Sequence, residues 1–189
     1  MKVFDKRVLA MGVIGLCVLV VTSTVGLAQV DITEPLDYEK LIRENLLRNG
    51  KYLNLAGKKI GDAGVGYLVT HKGLGKVTKM DLRYNKISPE GAKILSQMPP
   101  MPNLKVLILR HNFFSDEGAV VFSKSESFPN LVELQLGWNE IRDAGALAFT
   151  KTKTFPKLKK LDLRGNFLSE KTKQSLNTSL SHMKSLKLF

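Results

Sequence analysis

Tyr84, His111 and Trp138 recur at intervals of 27 residues, and arginine precedes the first two in Arg83-Tyr84 and Arg110-His111. The same phase carries Gly137 before Trp138 and Arg164-Gly165 one interval later. Flat rings stack on peptide groups, on sugar rings and on one another, while guanidinium groups pair with carboxylates and other anions. Tyr, Trp and Arg are also the residues enriched among interface anchors. If the chain lays its intervals side by side, Arg83, Tyr84, Arg110, His111, Trp138 and Arg164 form a surface equipped for recognition rather than for bond making.

Catalytic chemistry has little to draw on. Cys17, the only cysteine, lies in an apolar N-terminal stretch, and His71, His111 and His182 are the only imidazoles. No His-Glu-x-x-His run, phosphate loop or Gly-x-Ser-x-Gly elbow occurs. The most tempting acid–base pair is Asp81 with His111. On neighbouring strands the two are three residues out of register, which at about 3.3 Å per residue separates them by roughly 10 Å or more, beyond the reach of a base and its orienting partner. The expectation is a protein that is not an enzyme, with no catalytic residue, no metal site and no cofactor.

The elements that position the six residues are repeats. Asn85, Asn112, Asn139 and Asn166 each end one phrase: Val77-x-x-Met80-x-Leu82, Leu104-x-x-Leu107-x-Leu109, Leu131-x-x-Leu134-x-Leu136 and Leu158-x-x-Leu161-x-Leu163, with the asparagine three residues on. One period earlier Leu53 and Leu55 hold the leucine columns, and Lys58 replaces the asparagine. Alternating leucines predict a short strand whose inward side chains stack between repeats. The asparagines are expected to turn inward and bond backbone groups at the strand end, so they are structural and not part of a site.

The second half of each unit predicts a helix. Ser88-Pro89-Glu90, Ser115-Asp116-Glu117 and Ser169-Glu170 supply capping hydroxyls, an N1 proline and first-turn acids. Ala92, Ala119 and Ala146, then Leu95, Phe122 and Phe149 three residues on, form inward columns at helical spacing. Gly64, Gly91, Gly118 and Gly145 mark a column of close packing at the helix start.

On these phrases, residues 50–189 resemble the leucine-rich-repeat family, and a period of 27 with a full helix resembles its ribonuclease-inhibitor-like subclass. The resemblance implies an α/β fold: an open leucine-rich-repeat solenoid of about five repeats, parallel strands on the concave face and helices on the convex face. It also implies protein recognition on the concave face. The phrase is similar to that of Ran GTPase-activating proteins as well, but those are cytosolic and the N-terminus of this chain is not that of a cytosolic protein. Strands about 4.8 Å apart would align Tyr84, His111 and Trp138 as a contiguous ridge. Beside it run an arginine column, Arg83, Arg110 and Arg164, and an outward column, Asn54, Asp81, Ile108, Gln135 and Asp162.

Residues 1–28 read as a signal peptide: Lys2, Lys6 and Arg7 head an apolar run from Val8 to Val21, and small residues follow to Ala28. Cleavage there starts the mature chain at Gln29. The alternative is an uncleaved signal that anchors the chain in a membrane, because the apolar run can be extended to Gly26. Residues 29–49 are expected to form a capping helix, with Tyr38, Leu41, Ile42 and Leu46 on one face and its end at Asn49-Gly50. At the other end Leu188 is expected in register with Leu161, opening a sixth strand.

The chain carries a net charge of +12, and lysines crowd its C-terminal third. Such a balance favours anionic partners. With a secretion signal and no nucleic-acid motif, the expected partner is a protein met outside the cytoplasm, in a secreted or periplasmic setting, and not a nucleic acid. The alternative is an anionic glycan or membrane surface bound by the same face and the C-terminal lysines. The lack of cysteines after Cys17 favours a periplasmic setting over an animal extracellular one.

Overall fold

The computed structural model describes residues 36–189; the expected signal peptide and the first residues of the expected cap lie outside the described residues. The chain builds one seven-stranded sheet in sequence order: β1 (Leu46–Leu47), β2 (Tyr52–Asn54), β3 (Lys79–Asp81), β4 (Val106–Ile108), β5 (Glu133–Gln135), β6 (Lys160–Asp162) and β7 (Ser185–Lys187). Helix α1 (Tyr38–Asn45) precedes it, and α2 (Gly61–Thr70), α3 (Pro89–Ser96), α4 (Ser115–Phe122), α5 (Asp143–Ala148) and α6 (Glu170–Ser179) alternate with the parallel strands. Among the described residues no helix is long and apolar enough to cross a membrane.

From β2 to β6 each strand residue pairs with the residue 27 positions on, as Met80 with Leu107 and Leu107 with Leu134. The strands are only three residues long, yet the ladder runs on past them. Leu82, Leu109 and Leu136 donate to the carbonyls of Ile108, Gln135 and Asp162, and Tyr84, His111 and Trp138 donate to those of Arg110, Gly137 and Arg164, at 2.8–3.1 Å. The expected ridge is therefore tied to the sheet by its own backbone.

Behind the strands, Leu53, Met80, Leu82, Leu107, Leu109, Leu134 and Leu136 are fully or almost fully buried together with Phe114, Phe122, Phe128 and Phe149. Full burial of each large side chain contributes roughly 2 kcal/mol. The asparagines do turn inward. Asn112 accepts from the backbone N–H of Asn85 (3.0 Å) and Ile87 (3.1 Å), and donates to the carbonyls of Leu82 (3.0 Å) and Leu109 (2.9 Å). Asn166 repeats the pattern, accepting from Asn139 and Ile141 and donating to Leu136 and Leu163, and Asn139 accepts from Phe114 and donates to Leu109 and Leu136, so the turns after the strands are stitched to one another.

Four local expectations need correction. Helix α1 ends at Asn45, and Leu46 belongs to β1, which pairs antiparallel with β2 and so covers the edge of the first parallel strand. At the far end Leu161 pairs with Leu186, not Leu188, so the last interval is 25 residues. Ser88 and Ser169 cap their helices as expected, but Ser115 is already the first residue of α4 and its hydroxyl faces Glu117. Asp81, Ile108 and Asp162, expected to face outward with their column, are buried.

The glycine column has a particular neighbour. Acids in the first turn of one helix reach the next: Asp62 accepts from Ser88 N–H (2.9 Å), Asp116 from Arg142 and Gly145 N–H (both 2.8 Å), and Asp143 from Ser169 N–H (2.8 Å). A Cβ on Gly145 would lie 2.5 Å from Asp116 Oδ1. Glycine there lets one repeat cap the next.

Candidate functional site

Each ridge residue sits two positions past the core leucine of its strand, where the chain turns with positive φ: Tyr84 at 58°, His111 at 55° and Trp138 at 55°. The ends of the column are the glycines that this conformation favours, Gly57 at 70° and Gly165 at 69°. Non-glycine residues held there each cost about 1–2 kcal/mol, and the lateral hydrogen bonds hold them. The three rings form a continuous stack. Tyr84 and His111 lie 4.2 Å apart at 10°, and His111 and Trp138 lie 4.8 Å apart at 13°. The indole of Trp138 continues the stack over Gly165, where a Cβ would meet its Cδ1 at 2.5 Å. Tyr84 keeps 53% of its surface exposed and Trp138 38%.

The arginine column divides in two. Arg164 donates through Nε (3.0 Å) and Nη2 (2.7 Å) to both oxygens of Asp162, and Arg83 Nη2 stands 3.0 Å from Asp81 Oδ2. These two side chains fold back on the sheet and cover the acids, which explains why Asp81 and Asp162 are buried in a column whose strand alternation points outward. Burial raises the Asp162 pKa, but the Arg164 hydrogen bonds and charge together, with Arg110 adding to them, hold it below the ordinary carboxylate value. Arg110 has no such partner among the described residues. Its guanidinium lies over the Trp138 ring at 4.6 Å, while Arg164 stands at 5.9 Å from the same ring. A guanidinium over an indole face contributes about 0.5–2 kcal/mol and fixes both groups. Burial first, then the positive charges of Arg110 and Arg83, lowers the His111 pKa, which favours the neutral form of the stack's central ring.

All six residues named from the sequence thus lie on one face, with Tyr84, His111, Trp138 and Arg110 in one assembly and Arg83 and Arg164 engaged with their own acids. Sequence reasoning passed over Phe113 and Phe167, each the residue after a structural asparagine. Phe113 is 48% exposed and Phe167 59%, and Arg142 lies over the Phe167 ring at 5.3 Å. With Tyr84, His111, Trp138 and Glu140 they border a groove of about 410 Å³ alongside the ridge. Aromatics in a polar setting were the available signal, but Lys59, Lys86 and Glu140 hold the same column in the other repeats, so no period announces it. Among the described residues no group of His, Cys, Asp and Glu could hold a metal ion.

An open sheet whose parallel strands β2 to β6 are each followed by a helix, with asparagines closing the turns after β3 to β6, defines an α/β solenoid. The fold is that of a leucine-rich-repeat solenoid. The Leucine Rich repeat family model matches residues 76–96, 101–123 and 129–149. No curated protein matches the chain in sequence. Among solved structures it is similar to the actin-binding site 2 of leiomodin-1, with 15% identity over 79% of this chain and 90% of that one and a TM-score of 0.62. It is also similar to a chain of the Drosophila melanogaster SNF/U2A' complex (20% identity, 78% and 80% covered, TM-score 0.54) and to the tropomodulin C-terminal domain of Caenorhabditis elegans (17%, 78% and 93%, TM-score 0.55). Identities this low establish the shared fold and nothing finer.

Proposed function

We propose that the chain is a non-enzymatic protein-binding module that takes its partner on the strand face and works outside the cytoplasm, exported by its N-terminal segment. The observation that carries the reading is the stack Tyr84–His111–Trp138 with Arg110 over the indole: a rigid, exposed aromatic surface held in strained backbone and left uncovered by the described residues. Rigid aromatics lose little entropy on binding, so such a surface suits a protein interface. Two similar folds bear names that speak of protein partners, an actin-binding site and a SNF/U2A' complex, and lend the reading general support. The N-terminal signal puts the meeting in the periplasm or outside the cell; if uncleaved, it tethers the same face at a membrane.

The second reading is favoured by one observation, the net charge of +12 with lysines crowding the C-terminal third: the chain binds an anionic glycan or envelope surface. A pull-down from the source's envelope fraction, with protein beginning at Gln29, separates the two. A discrete protein retained at high salt and lost from Trp138→Ala and Arg110→Ala supports the protein-binding reading. Recovery of lipid or polysaccharide that falls steeply with salt and ignores Trp138→Ala overturns it.

A further inference from the structure

Arg83, Arg110 and Arg164 occupy one column, and two of the three carry their own counter-ion two residues earlier, in Asp81-Leu82-Arg83 and Asp162-Leu163-Arg164. In the central repeat that position is Ile108, buried and apolar. Arg110 forms no ion pair among the described residues, where Asp162, already held by Arg164, is the acid that feels its charge, and its buried Nε has no hydrogen-bond partner among them. A buried donor without an acceptor costs on the order of 1–3 kcal/mol, more when charged. Gly137, the next residue of the column, puts no side chain between Arg110 and Arg164; a Cβ there would lie 2.9 Å from the Arg164 carbonyl and 3.8 Å from Arg110 Nε.

We propose that Arg110 receives an aspartate or glutamate of a partner protein's exposed segment, while an aromatic or aliphatic side chain close to that acid covers the Tyr84–His111–Trp138 stack and enters the groove bordered by Phe113 and Phe167. This rests on the protein-binding reading above and names the chemistry of its partner. Charge complementarity selects the acid: the chain is strongly basic overall, and the Arg110 fork, already oriented by the indole, matches a carboxylate's two oxygens. The groove selects a peptide over an acidic glycan. Its far border is Phe113 and Phe167, which offer no partner to the hydroxyls around a sugar ring, and exposed Glu140 between them repels a chain with an anion on every unit.

Trp138 is the only tryptophan, so its emission reports on this site alone. Phage-displayed random nonapeptides are selected on protein beginning at Gln29, and the selected peptides are titrated by Trp138 fluorescence. The expected peptides carry Asp or Glu within about three residues of a large apolar side chain. Arg110→Gln weakens them at least tenfold. Ile108→Asp, which supplies Arg110 with the internal acid its two neighbours have, weakens them comparably while leaving Arg110 in place. Replacing the peptide's acid by its amide costs as much on the unaltered protein and nothing on Arg110→Gln, a comparison that holds even if one protein variant folds poorly. Peptides that need Trp138 but no acid, and ignore Arg110→Gln, overturn the inference and leave the protein-binding reading standing. No selected peptide, with an acidic oligosaccharide shifting Trp138 emission instead, overturns both.

Discussion

Asp116 in the first turn of α4 accepts hydrogen bonds from Arg142 and Gly145 of the following repeat, both at 2.8 Å, so the short helix α5 takes its N-terminal cap from its neighbour and not from its own sequence. Arg142 at the N-cap position of α5 offers no capping oxygen. The acceptor has to come from outside, and the absent side chain at Gly145 opens the way for it.

Asp116→Ala is therefore expected to cost about 1–2 kcal/mol, the range of a lost cap. Gly145→Ala puts a methyl 2.5 Å from Asp116 Oδ1 and 2.9 Å from its Cα, and overpacking of that kind costs about 1–3 kcal/mol. The two meet in one contact, so the double variant should lose less than the sum of the singles. Urea unfolding of the four proteins checks this. Strict additivity would mean that the carboxylate and the glycine are not coupled.

The spacing of Asn85, Asn112, Asn139 and Asn166 was enough to read the solenoid, because these four repeats bury the same columns and close their strands with the same amide. The displaced strand β7 was not legible. Leu186 and Leu188 are two residues apart, and a shift of two preserves the inward–outward alternation, so hydrophobic pattern alone accepts either as the partner of Leu161. That the six named residues share one face was legible from period and type. What the arginines do was not: that Arg83 and Arg164 turn back onto Asp81 and Asp162 while Arg110 turns to Trp138 depends on which residue lies two positions earlier. A long flexible side chain takes whichever partner is in reach, and strand alternation does not record that choice. Phe113 and Phe167 escaped notice because they stand past the asparagine, outside the strand whose alternation guided the reading.

His111 gives the site a pH dependence of definite sign. Its folded pKa lies below the ordinary imidazole value of about 6.5, through burial first and then Arg110 and Arg83. Between the folded value and about 6.5 the unfolded chain holds more protons than the folded one, so stability rises with pH across that window. The contribution is fully present above the window and is lost as pH falls through the folded pKa. Protonation puts a cation against the stacked indole and quenches it, so Trp138 emission should titrate with a midpoint below 6.5. His111→Asn should abolish both the emission transition and the corresponding part of the acid destabilisation. A midpoint at or above 6.5 would show that neither burial nor the two arginines hold the ring's pKa down.

Gly165 and Gly57 hold the two ends of the ridge column with nearly the same backbone, φ of 69° and 70°, but they differ in what lies above them. Trp138 lies against Gly165, so an added methyl collides with the indole; nothing stands within 4 Å of the corresponding point at Gly57. Alanine at either position meets the same conformational penalty of about 1–2 kcal/mol, and the pair therefore isolates the ring contact from the backbone cost. Gly165→Ala should shift the emission of Trp138, break the His111–Trp138 stack and weaken any ligand of the strand face, whereas Gly57→Ala should match it in stability and leave emission and binding as they are. Equal loss of binding in both would assign the effect to backbone strain spread through the turns. Loss in Gly165→Ala alone would place the binding energy in the position of one indole ring.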